Sequence, residues 1–475
     1  MLRSLAAAAC CLLAAPAGAI AASAPSPSPS ASTGAGAWPQ FQGSAAHLGT
    51  TPSATIAPPL QELWRFAEPD GNDGLSAAVV TGGVAVAVGE HGVYGVDAAT
   101  GEQRWRVDRN GGRISSPAVG VVGGRQIVVY TEGATGDDAS VVAIDASNQD
   151  ELWREQLETP SDSGITVDGS TVLLGDRRGR LYSFDLASGR PATWSPRGLG
   201  ARIDAPPAAD GRQIFAVTRN TDTNEVTVFA LDEATGTEDW SYKPRFAAGT
   251  GTTVTVEDDK VYFGMGAELR VHALTPLAGG KVWEARARDS FSPLSAPAAS
   301  EGRLFIVSTN TSDSVLYAYD ASDGSKLWDF QFQEATIRGA PVVAGDAVFL
   351  GTDDGTVAAV DARSGIEVWE APTGPGRIGP LALSGDELIA SKRSRHGGLI
   401  AFGPDPTGKL VHIESPTKLK LGAVMSRYAI SFVAVFVVVF GAVTLMRRRV
   451  GLAPEKEAPE EDAPGAMDEP APEGD

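Results

Sequence analysis

LYAYDASDGSKLWDF, residues 316–330, has the pattern of a strand, a tight turn and a second strand. Asp320 can accept N–H groups from the turn, and Gly324 suits a left-handed backbone position. Trp328 then stands on the second strand. Related text recurs along the chain, at residues 96–105, 144–153, 231–240 and 360–369. The sequence therefore predicts a β-hairpin that is repeated many times.

Eight Trp residues give the period of this repeat. Their spacing of 41–48 residues suits four short strands with their turns, which make one propeller blade. The Trp ring is expected on the outer strand, where it fills the wedge between neighbouring blades. Blades three (184–194, one extra residue) and five (273–283, no Asp) are imperfect copies. The eight residues are Trp64, Trp105, Trp153, Trp194, Trp240, Trp283, Trp328 and Trp369.

Each repeat also contains a short inner strand, often opened by a small residue and Pro. Eight such strands occur, near residues 77, 117, 164, 206, 252, 296, 341 and 380. The last has no Trp strand after it, while LQELWRF (60–66) has no inner strand before it. Each completes the other and removes free sheet edges. The predicted fold is all-β: an eight-bladed β-propeller closed by an N-terminal strand.

The N-terminal residues predict export. Residues 1–24 combine Arg3, an apolar run and small residues at a cleavage point, which is typical of a secretory signal peptide. Residues 25–37 form a Ser/Pro/Ala-rich linker. Cys10 and Cys11 lie in the signal peptide, and Cys10 follows too short an apolar run for a lipoprotein anchor. The exported domain is thus expected to be stable without a disulfide.

The C-terminal residues predict a membrane anchor. Residues 406–423 are a juxtamembrane linker, and residues 424–446 have the length and composition of one transmembrane helix. The Arg-flanked tail, 447–475, begins with three Arg residues that mark a cytoplasmic side, and it continues as an acidic, disordered segment. We therefore predict a single-pass protein of the bacterial cell membrane, with the propeller outside and the tail in the cytoplasm.

The Trp-anchored repeat, together with WPQFQGSAAHLGT (38–50), resembles the pyrroloquinoline-quinone-like (PQQ-like) β-propeller repeat superfamily over residues 38–405. This superfamily includes quinoprotein dehydrogenases and non-enzymatic scaffolds, one of which is the lipoprotein of outer-membrane protein assembly. The resemblance therefore predicts the fold more specifically than the function.

The residues that the resemblance implies for quinone catalysis are not found together. The enzymes use a vicinal disulfide, but here the only Cys pair leaves with the signal peptide. Acidic clusters at 136–140, 257–260 and 352–355 fall where turns are expected, and the five His residues show no metal-ligand spacing. We therefore predict no catalytic, cofactor-binding or metal site and no cofactor.

Two basic hairpins stand out in a chain whose formal net charge is −20. DRRGR (176–180) and SKRSRHGG (391–398) should be the turns between the second and third strands of blades three and eight, which share one face of a propeller. They predict a cationic patch for a protein or an anionic cell-envelope component, although ordinary solvated turns are the alternative. The candidate residues are Arg177, Arg178, Arg180, Lys392, Arg393 and Arg395.

The preferred function is a membrane-anchored, extracytoplasmic scaffold that binds a protein or cell-envelope partner without catalysis. Two alternatives are a PQQ-dependent quinoprotein dehydrogenase and a ligand-sensing ectodomain that signals through the tail. Nucleic acid is not an expected partner of an exported acidic domain.

Overall fold

The computed structural model describes residues 36–52, 54–69, 74–134, 138–244, 253–265, 270–287, 294–394 and 397–407. All of them belong to one compact unit, Met1–Val411. Apart from a short 3₁₀ turn at Phe41–Gly43, their regular structure is β-strand. Among these described residues no helix is long and apolar enough to cross a membrane. The signal peptide, the span at 424–446 and the tail were predicted from residues that lie outside these ranges.

Eight antiparallel sheets of four strands confirm the eight-bladed β-propeller. Blades one to four contain β2 Val79–Thr81, β3 Val84–Val88, β4 Gly92–Asp97, β5 Gln103–Asp108, β6 Ala118–Val122, β7 Arg125–Glu132, β8 Ser140–Asp145, β9 Glu151–Gln156, β10 Thr166–Asp168, β11 Thr171–Gly175, β12 Arg180–Asp185, β13 Arg197–Gly198, β14 Ala208–Ala209, β15 Gln213–Arg219, β16 Val226–Asp232 and β17 Glu238–Tyr242. Blades five to seven contain β18 Thr255–Glu257, β19 Lys260–Met265, β20 Arg270–Leu274, β21 Lys281–Arg286, β22 Ala298–Ser300, β23 Arg303–Thr309, β24 Ser314–Asp320, β25 Lys326–Phe332, β26 Val342–Ala344, β27 Ala347–Gly351, β28 Thr356–Asp361 and β29 Glu367–Pro372. Blade eight contains β1 Leu60–Ala67, β30 Arg377–Ser384, β31 Glu387–Arg393 and β32 Gly398–Pro404.

The first strand closes the last blade, as the orphan Trp strand predicted. β1 pairs antiparallel with β32, from Leu60 opposite Pro404 to Ala67 opposite Gly398. The outer strand of blade eight therefore comes from the beginning of the propeller sequence. Since the two ends of the repeat share one sheet, the circle of blades is held shut by a ladder of main-chain hydrogen bonds.

The repeat Trp residues join neighbouring blades. Seven of the eight indole N–H groups donate to a carbonyl of the next blade, six of them in its turn between the third and fourth strands and the seventh at the start of β1. These bonds run from Trp64 to Ala98, Trp153 to Leu186, Trp194 to Glu233, Trp240 to Pro276, Trp283 to Ala321, Trp328 to Ala362 and Trp369 to Leu60. The Trp rings, which were predicted to fill the space between blades, thus also form a specific hydrogen bond with the next blade.

Trp194 reaches its acceptor without lying on a strand, which corrects the expected outer-strand position. The extra residue in blade three leaves only Arg197–Gly198 for β13, and Trp194 precedes it in a turn. Its ring still covers Gly236 of blade four, where an added Cβ would lie 2.4 Å from Trp194 Cδ2. The position of the ring between blades is therefore retained although its strand is lost.

Residues 36–50, which we call the axial segment, run past the inner strand of every blade. Because all eight inner strands converge on the propeller axis, a segment that contacts each of them must lie there. In each blade, a main-chain N–H of the inner strand, or of the hairpin at its end, donates to an acceptor in the axial segment. The acceptors follow one another along the segment in the order of the blades. The pairs are Gly385 with Gly36, Val80 with Trp38, Val119 with Pro39, Val167 with the Gln40 side chain, Ala209 with Ala45, Val256 with Ala46, Ala299 with Leu48 and Val343 with Gly49.

His47 lies fully buried near the C-terminal end of the axial segment. Its Nδ1 is 3.1 Å from Thr253 Oγ1 and 3.2 Å from the Val254 carbonyl, and its Nε2 is 3.4 Å from Thr166 Oγ1. Burial lowers the pKa of the imidazole to about 4, and the hydrogen bond to Val254 opposes that shift only in part. The ring is therefore neutral at pH 7 and links blades three and five through the axis.

This neutral histidine predicts a pH dependence of stability. The unfolded chain protonates His47 near pH 6.5 and the folded chain only near pH 4, so its contribution is complete above pH 6.5 and is lost as the pH falls toward 4. The loss should be about 2–3 kcal/mol by pH 4.5. His47→Gln lacks this titration, so its deficit in unfolding free energy against the wild type should narrow between pH 7.5 and pH 4.5 in urea titrations.

The pH dependence has to be measured as a difference between the wild type and the variant, because partly buried acids change the unfolding free energy in the opposite direction. Burial raises the pKa values of Glu233, Glu257 and Glu367 to about 7, so these groups weaken the fold as the pH rises from 4.5 toward 7. These acids are present in both the wild type and the variant, so their effects cancel in the difference between the two unfolding free energies. His91→Gln, at an exposed position, is the matched control. A deficit of His47→Gln that stays constant over this pH range would contradict a neutral buried His47.

Candidate partner-binding face

The second-to-third-strand hairpins and the connections between blades share one face of the propeller. On this face, six charged residues of blades one to four form what we call the Arg–Asp cluster. They come from the connections after β5, β9 and β13, from the β11–β12 hairpin and from the end of β15. The cluster consists of Arg113, Asp162, Arg177, Arg202, Asp204 and Arg219.

Asp162 lies at the centre of the cluster, with 7% of its side chain exposed. Arg177 binds it in a bidentate manner through Nε and Nη2, each at 2.9 Å, and Arg202 Nη2 lies 2.9 Å from Oδ2. Arg113 Nε completes the set at 3.4 Å. Burial raises the pKa of this carboxyl, but the hydrogen bond from Arg177 and the three guanidinium charges outweigh burial and lower it. Asp162 is therefore ionised at pH 7.

Asp204 extends the cluster into blade four. Its Oδ1 accepts from Arg202 Nε, and its Oδ2 lies 2.7 Å from Arg219 Nη2. The main-chain amide of Arg219 also donates to the Arg202 carbonyl at 2.8 Å. Four guanidinium groups thus share two carboxylates, which leaves a surplus of two positive charges. Arg113 and Arg177 are the more exposed members, at 66% and 40%.

Arg109 fixes the connection that carries Arg113. Only 5% of Arg109 is exposed, and its guanidinium donates to five main-chain carbonyls. The shortest of these bonds, at 2.6 Å, joins Nη2 to the carbonyl of Arg113. Nε and both Nη atoms donate, and Nη1 is shared among the Gly89, Glu90 and Gly112 carbonyls, so the planar group holds this loop in a single geometry. The Arg113 side chain therefore projects from a rigid base.

The blade three candidates from the sequence lie at this cluster. Arg177 is a member of it, and Arg178 is exposed on the same hairpin. Arg180, at the start of β12, pairs with Glu158 at 2.5 Å. Asp176 accepts N–H groups of Arg178 and Arg180 and so shapes the hairpin. The second-to-third-strand position predicted for this hairpin is the one observed.

The blade eight candidates have different surroundings. Lys392 is buried on β31, and its Nζ donates to the carbonyls of Thr373 at 2.7 Å and Gly374 at 2.9 Å. Burial lowers the pKa of this amine. Arg393 ends β31 and is exposed, and Arg395 lies outside the described residues. Blades one and two separate this hairpin from the β11–β12 hairpin of blade three, so the structure does not bring the two basic hairpins together.

A smaller set of the same design lies across the propeller. Asp353, on the β27–β28 hairpin of blade seven, is 2.8 Å from Arg338 Nε and 2.8 Å from Arg377 Nε. One Arg precedes β26 and the other begins β30, so this acid also joins neighbouring blades. A carboxylate that binds arginines from neighbouring blades therefore occurs more than once on this face.

Sequence reasoning missed Arg113, Asp162, Arg202, Asp204 and Arg219. A repeat signal for part of the set does exist, because an Arg stands three or four residues before the Pro that opens an inner strand. It occurs at RISSP (113–117), RIDAP (202–206), RGAP (338–341) and RIGP (377–380). No comparable signal marks Asp162, whose partners come from three other segments. Among the described residues, no group of three or more His, Cys, Asp or Glu side chains is placed to hold a metal ion.

The closed circle of eight four-stranded blades, seven of which are joined to the next by a Trp hydrogen bond, defines the class of protein: this is a PQQ-like β-propeller. The chain belongs to the family described as outer membrane protein assembly factor BamB, whose model matches residues 53–136, 137–290 and 267–417. BamB of Nitrosomonas eutropha is 26% identical over 212 residues, which are 42% of this chain and 50% of that protein. A quinoprotein ethanol dehydrogenase of Pseudomonas aeruginosa is 38% identical over 65 residues, 14% of this chain and 10% of that enzyme.

Solved structures share the fold. The crystal structure of BamB from Moraxella catarrhalis matches with a TM-score of 0.57 and 18% identity, over 73% of this chain and 100% of that one. Quinohemoprotein alcohol dehydrogenase from Comamonas testosteroni matches with a TM-score of 0.62 and 14% identity, over 77% and 80%. The chain spans about half the length of the curated relatives it matches, 50%, 42% and 48% of the first three.

Proposed function

We propose that this protein is a non-catalytic scaffold that binds an acidic segment of a protein partner in the cell envelope through the Arg–Asp cluster. The observation that carries the proposal is the surplus of cationic groups on rigid connections in a strongly acidic chain. Because Asp162 and Asp204 hold the guanidinium groups in place, little side-chain entropy remains to be lost on binding. Arginine also suits bidentate recognition of carboxylates.

The family supports a protein partner rather than a substrate. Its relatives are named as assembly factors for outer membrane proteins, and the match to a quinoprotein dehydrogenase extends over only 14% of this chain. A propeller of fixed blades with varied connections offers a broad, preformed binding surface. We therefore propose protein binding, and not oxidation of a substrate, as the activity of this face.

The proposed anchoring follows from the sequence. A signal peptide at 1–24, one span at 424–446 and the charge of the tail would hold the propeller on the outer side of a bacterial cytoplasmic membrane. The domain boundaries proposed with it are a linker at 25–37, the propeller at 38–405 and a juxtamembrane linker at 406–423. In this arrangement the binding face meets partners of the envelope, and the Arg cluster at 447–449 keeps the C-terminus in the cytoplasm.

Crosslinking in intact cells tests the binding face. We expect a photo-reactive residue at position 178 to capture a specific protein, and one at position 322, in the β24–β25 turn of the opposite face, to capture none. Arg113→Ala combined with Arg178→Ala should weaken the association at least tenfold, since both side chains are exposed and their charges are removed.

The matched control for this experiment is Arg363→Ala. Arg363 is 62% exposed in the β28–β29 turn of the opposite face. It should leave capture at position 178 unchanged, and all three substitutions should leave the melting temperature within experimental error. Equal capture from both faces, or undiminished binding of the captured protein by the purified double variant, would contradict the proposal.

A further inference from the structure

The junction between blades one and two departs from a pattern that six of the other seven junctions of the propeller share. At six junctions a turn glycine with positive φ lies against the Trp ring of the preceding blade, so closely that an added Cβ would approach ring atoms to 2.4–2.8 Å. In blade two the corresponding residue is Gln149, with a φ of 64°. The six glycines are Gly101, Gly189, Gly236, Gly279, Gly324 and Gly365.

Gln149 takes the hydrogen bond that a tryptophan makes elsewhere. In those six junctions the indole N–H donates to the carbonyl of the first turn residue, which in blade two is Ala146. Here Gln149 Nε2 donates to the Ala146 carbonyl at 3.0 Å. Among the residues that the structure describes, the indole N–H of Trp105 has no acceptor. The side chain of Gln149 has thus replaced Trp105 at this position.

Trp105 instead packs onto its own blade. Its cross-strand partner is Gly95, and a Cβ added there would lie 2.0 Å from Trp105 Cε2 and 2.4 Å from Nε1. The corresponding partners of six other repeat Trp residues are alanines, which keep the ring away from the strand. These are Ala143, Ala230, Ala273, Ala318, Ala359 and Ala401. Gly95 and Gln149 therefore both depart from the repeat. Gly95 leaves room for the Trp105 ring on its own blade, and Gln149 binds the Ala146 carbonyl that the ring does not reach.

The displaced ring borders a cleft between the two blades. Its volume is about 880 Å³, and it is lined by Trp105, Gln126, Asn148 and Gln149 together with main chain of the first-to-second-strand hairpins. This lies within the size range of small-molecule sites, about 300–1,000 Å³. The lining thus combines one half-buried aromatic ring with several planar amides.

The charges that line the cleft are balanced. Arg104 and Arg125 both border it, but Arg104 Nη2 lies 2.5 Å from Asp97 and Arg125 Nε lies 3.0 Å from Asp145. A phosphate or an acidic peptide would have to compete with these carboxylates. A neutral ligand rich in hydroxyl groups would not, because amides can both donate to and accept from hydroxyls, and paired arginines can still donate to them.

We propose that the cleft between blades one and two is a carbohydrate-binding site. Trp105 stacks on the C–H face of a neutral sugar ring, and the amides of Gln126, Asn148 and Gln149 bind its hydroxyl groups. The site lies on the face opposite the Arg–Asp cluster, next to the turns between third and fourth strands. The protein can therefore hold a glycan and a protein partner at the same time.

The test is calorimetric titration of the purified full-length protein, in a detergent without a sugar headgroup. The probes are chitotriose, maltotriose and cellotriose. A peptide of residues 24–32 is titrated separately as an alternative, proline-rich ligand. We expect saturable binding of at least one trisaccharide at millimolar concentration or below, and no binding of the peptide.

Two variants assign the binding to the cleft. Trp105→Ala removes the stacking surface and should weaken trisaccharide binding at least tenfold. Gly95→Ala combined with Gln149→Gly restores the repeat pattern, so Trp105 should return to the Ala146 carbonyl and fill the cleft. This double variant should lose binding to the same extent while its melting temperature is unchanged or higher, which separates loss of the site from loss of the fold.

Trp328→Ala is the control, since Trp328 is a half-buried junction Trp whose N–H is bonded to Ala362 at 3.1 Å. It should reduce stability and leave the affinity of the folded protein unchanged. Three results would overturn the proposal: no trisaccharide bound by the wild type, binding retained by Trp105→Ala or by the double variant, or binding of the peptide alone. The last would assign the cleft to a proline-rich segment.

Discussion

Replacing Gly49 by alanine will lower the free energy of unfolding by about 2–5 kcal/mol. Gly49 is the penultimate residue of the axial segment and has a φ of 70°, and its carbonyl accepts a hydrogen bond from the Val343 amide of blade seven at 2.7 Å. A Cβ at this position would lie 2.5 Å from the Cβ of Ala298 in blade six. The left-handed backbone costs about 1–2 kcal/mol for a residue with a Cβ, and the clash adds about 1–3 kcal/mol.

Gly83→Ala separates these two causes. Gly83 has nearly the same φ, 73°, but nothing lies within 4 Å of its added Cβ. This variant should therefore lose only about 1–2 kcal/mol, the cost of the backbone conformation. Urea titrations of both variants and the wild type measure the difference. If the two variants were equally stable, the contact of Gly49 with blade six would contribute nothing, and the axial segment would not be held closely against the inner strands.

The fold was predictable because its determinant is periodic. Trp at a spacing of 41–48 residues and the orphan strand around Trp64 were enough to predict eight blades and their closure. The axial segment was visible only as a resemblance in residues 38–50. Its bonds to the inner strands join main chain to main chain, and such bonds leave no side-chain pattern in the sequence.

The candidate site was predictable only in part. Arg177 and Arg178 were found because cations in a hairpin stand out from an acidic chain. Asp162 was not found, because the arginines that it binds come from segments up to 49 residues away in sequence. Lys392 was expected on the surface. Its strand buries the stem, and two carbonyls satisfy the amine, which composition alone does not reveal.

Trp194 and Trp105 show that the same residue at the same repeat position can have different surroundings. Trp194 left its strand and kept its hydrogen bond, because Gly236 still admits the ring. Trp105 kept its strand and lost the bond, because Gln149 occupies the acceptor. The repeat predicts the sequence position of each Trp, while the residue in the neighbouring blade determines the surface against which its ring packs.

Trp64→Ala will produce the largest loss of stability among the repeat Trp variants, about 4–5 kcal/mol in unfolding free energy. Its ring is 8% exposed and its N–H donates to the Ala98 carbonyl of blade one at 2.8 Å. The ring also lies against Gly101, so its removal leaves a cavity between blades eight and one. Because Trp64 stands on β1, this cavity opens beside the strand that closes the propeller.

Trp105→Ala is the matched comparison, since Trp105 has the same repeat position but a half-buried ring with no acceptor for its N–H among the described residues. It should lose only about 1–2 kcal/mol, the cost of removing part of a buried apolar side chain. Urea titrations monitored by far-ultraviolet circular dichroism avoid the changed Trp fluorescence of both variants. If Trp64→Ala and Trp105→Ala lost equal stability, the bond to Ala98 and the closing strand would add nothing to the packing of a ring between blades. A difference of about 3 kcal/mol would show that burial of the Trp64 ring and its bond to Ala98 stabilise the junction between blades eight and one, where the propeller closes.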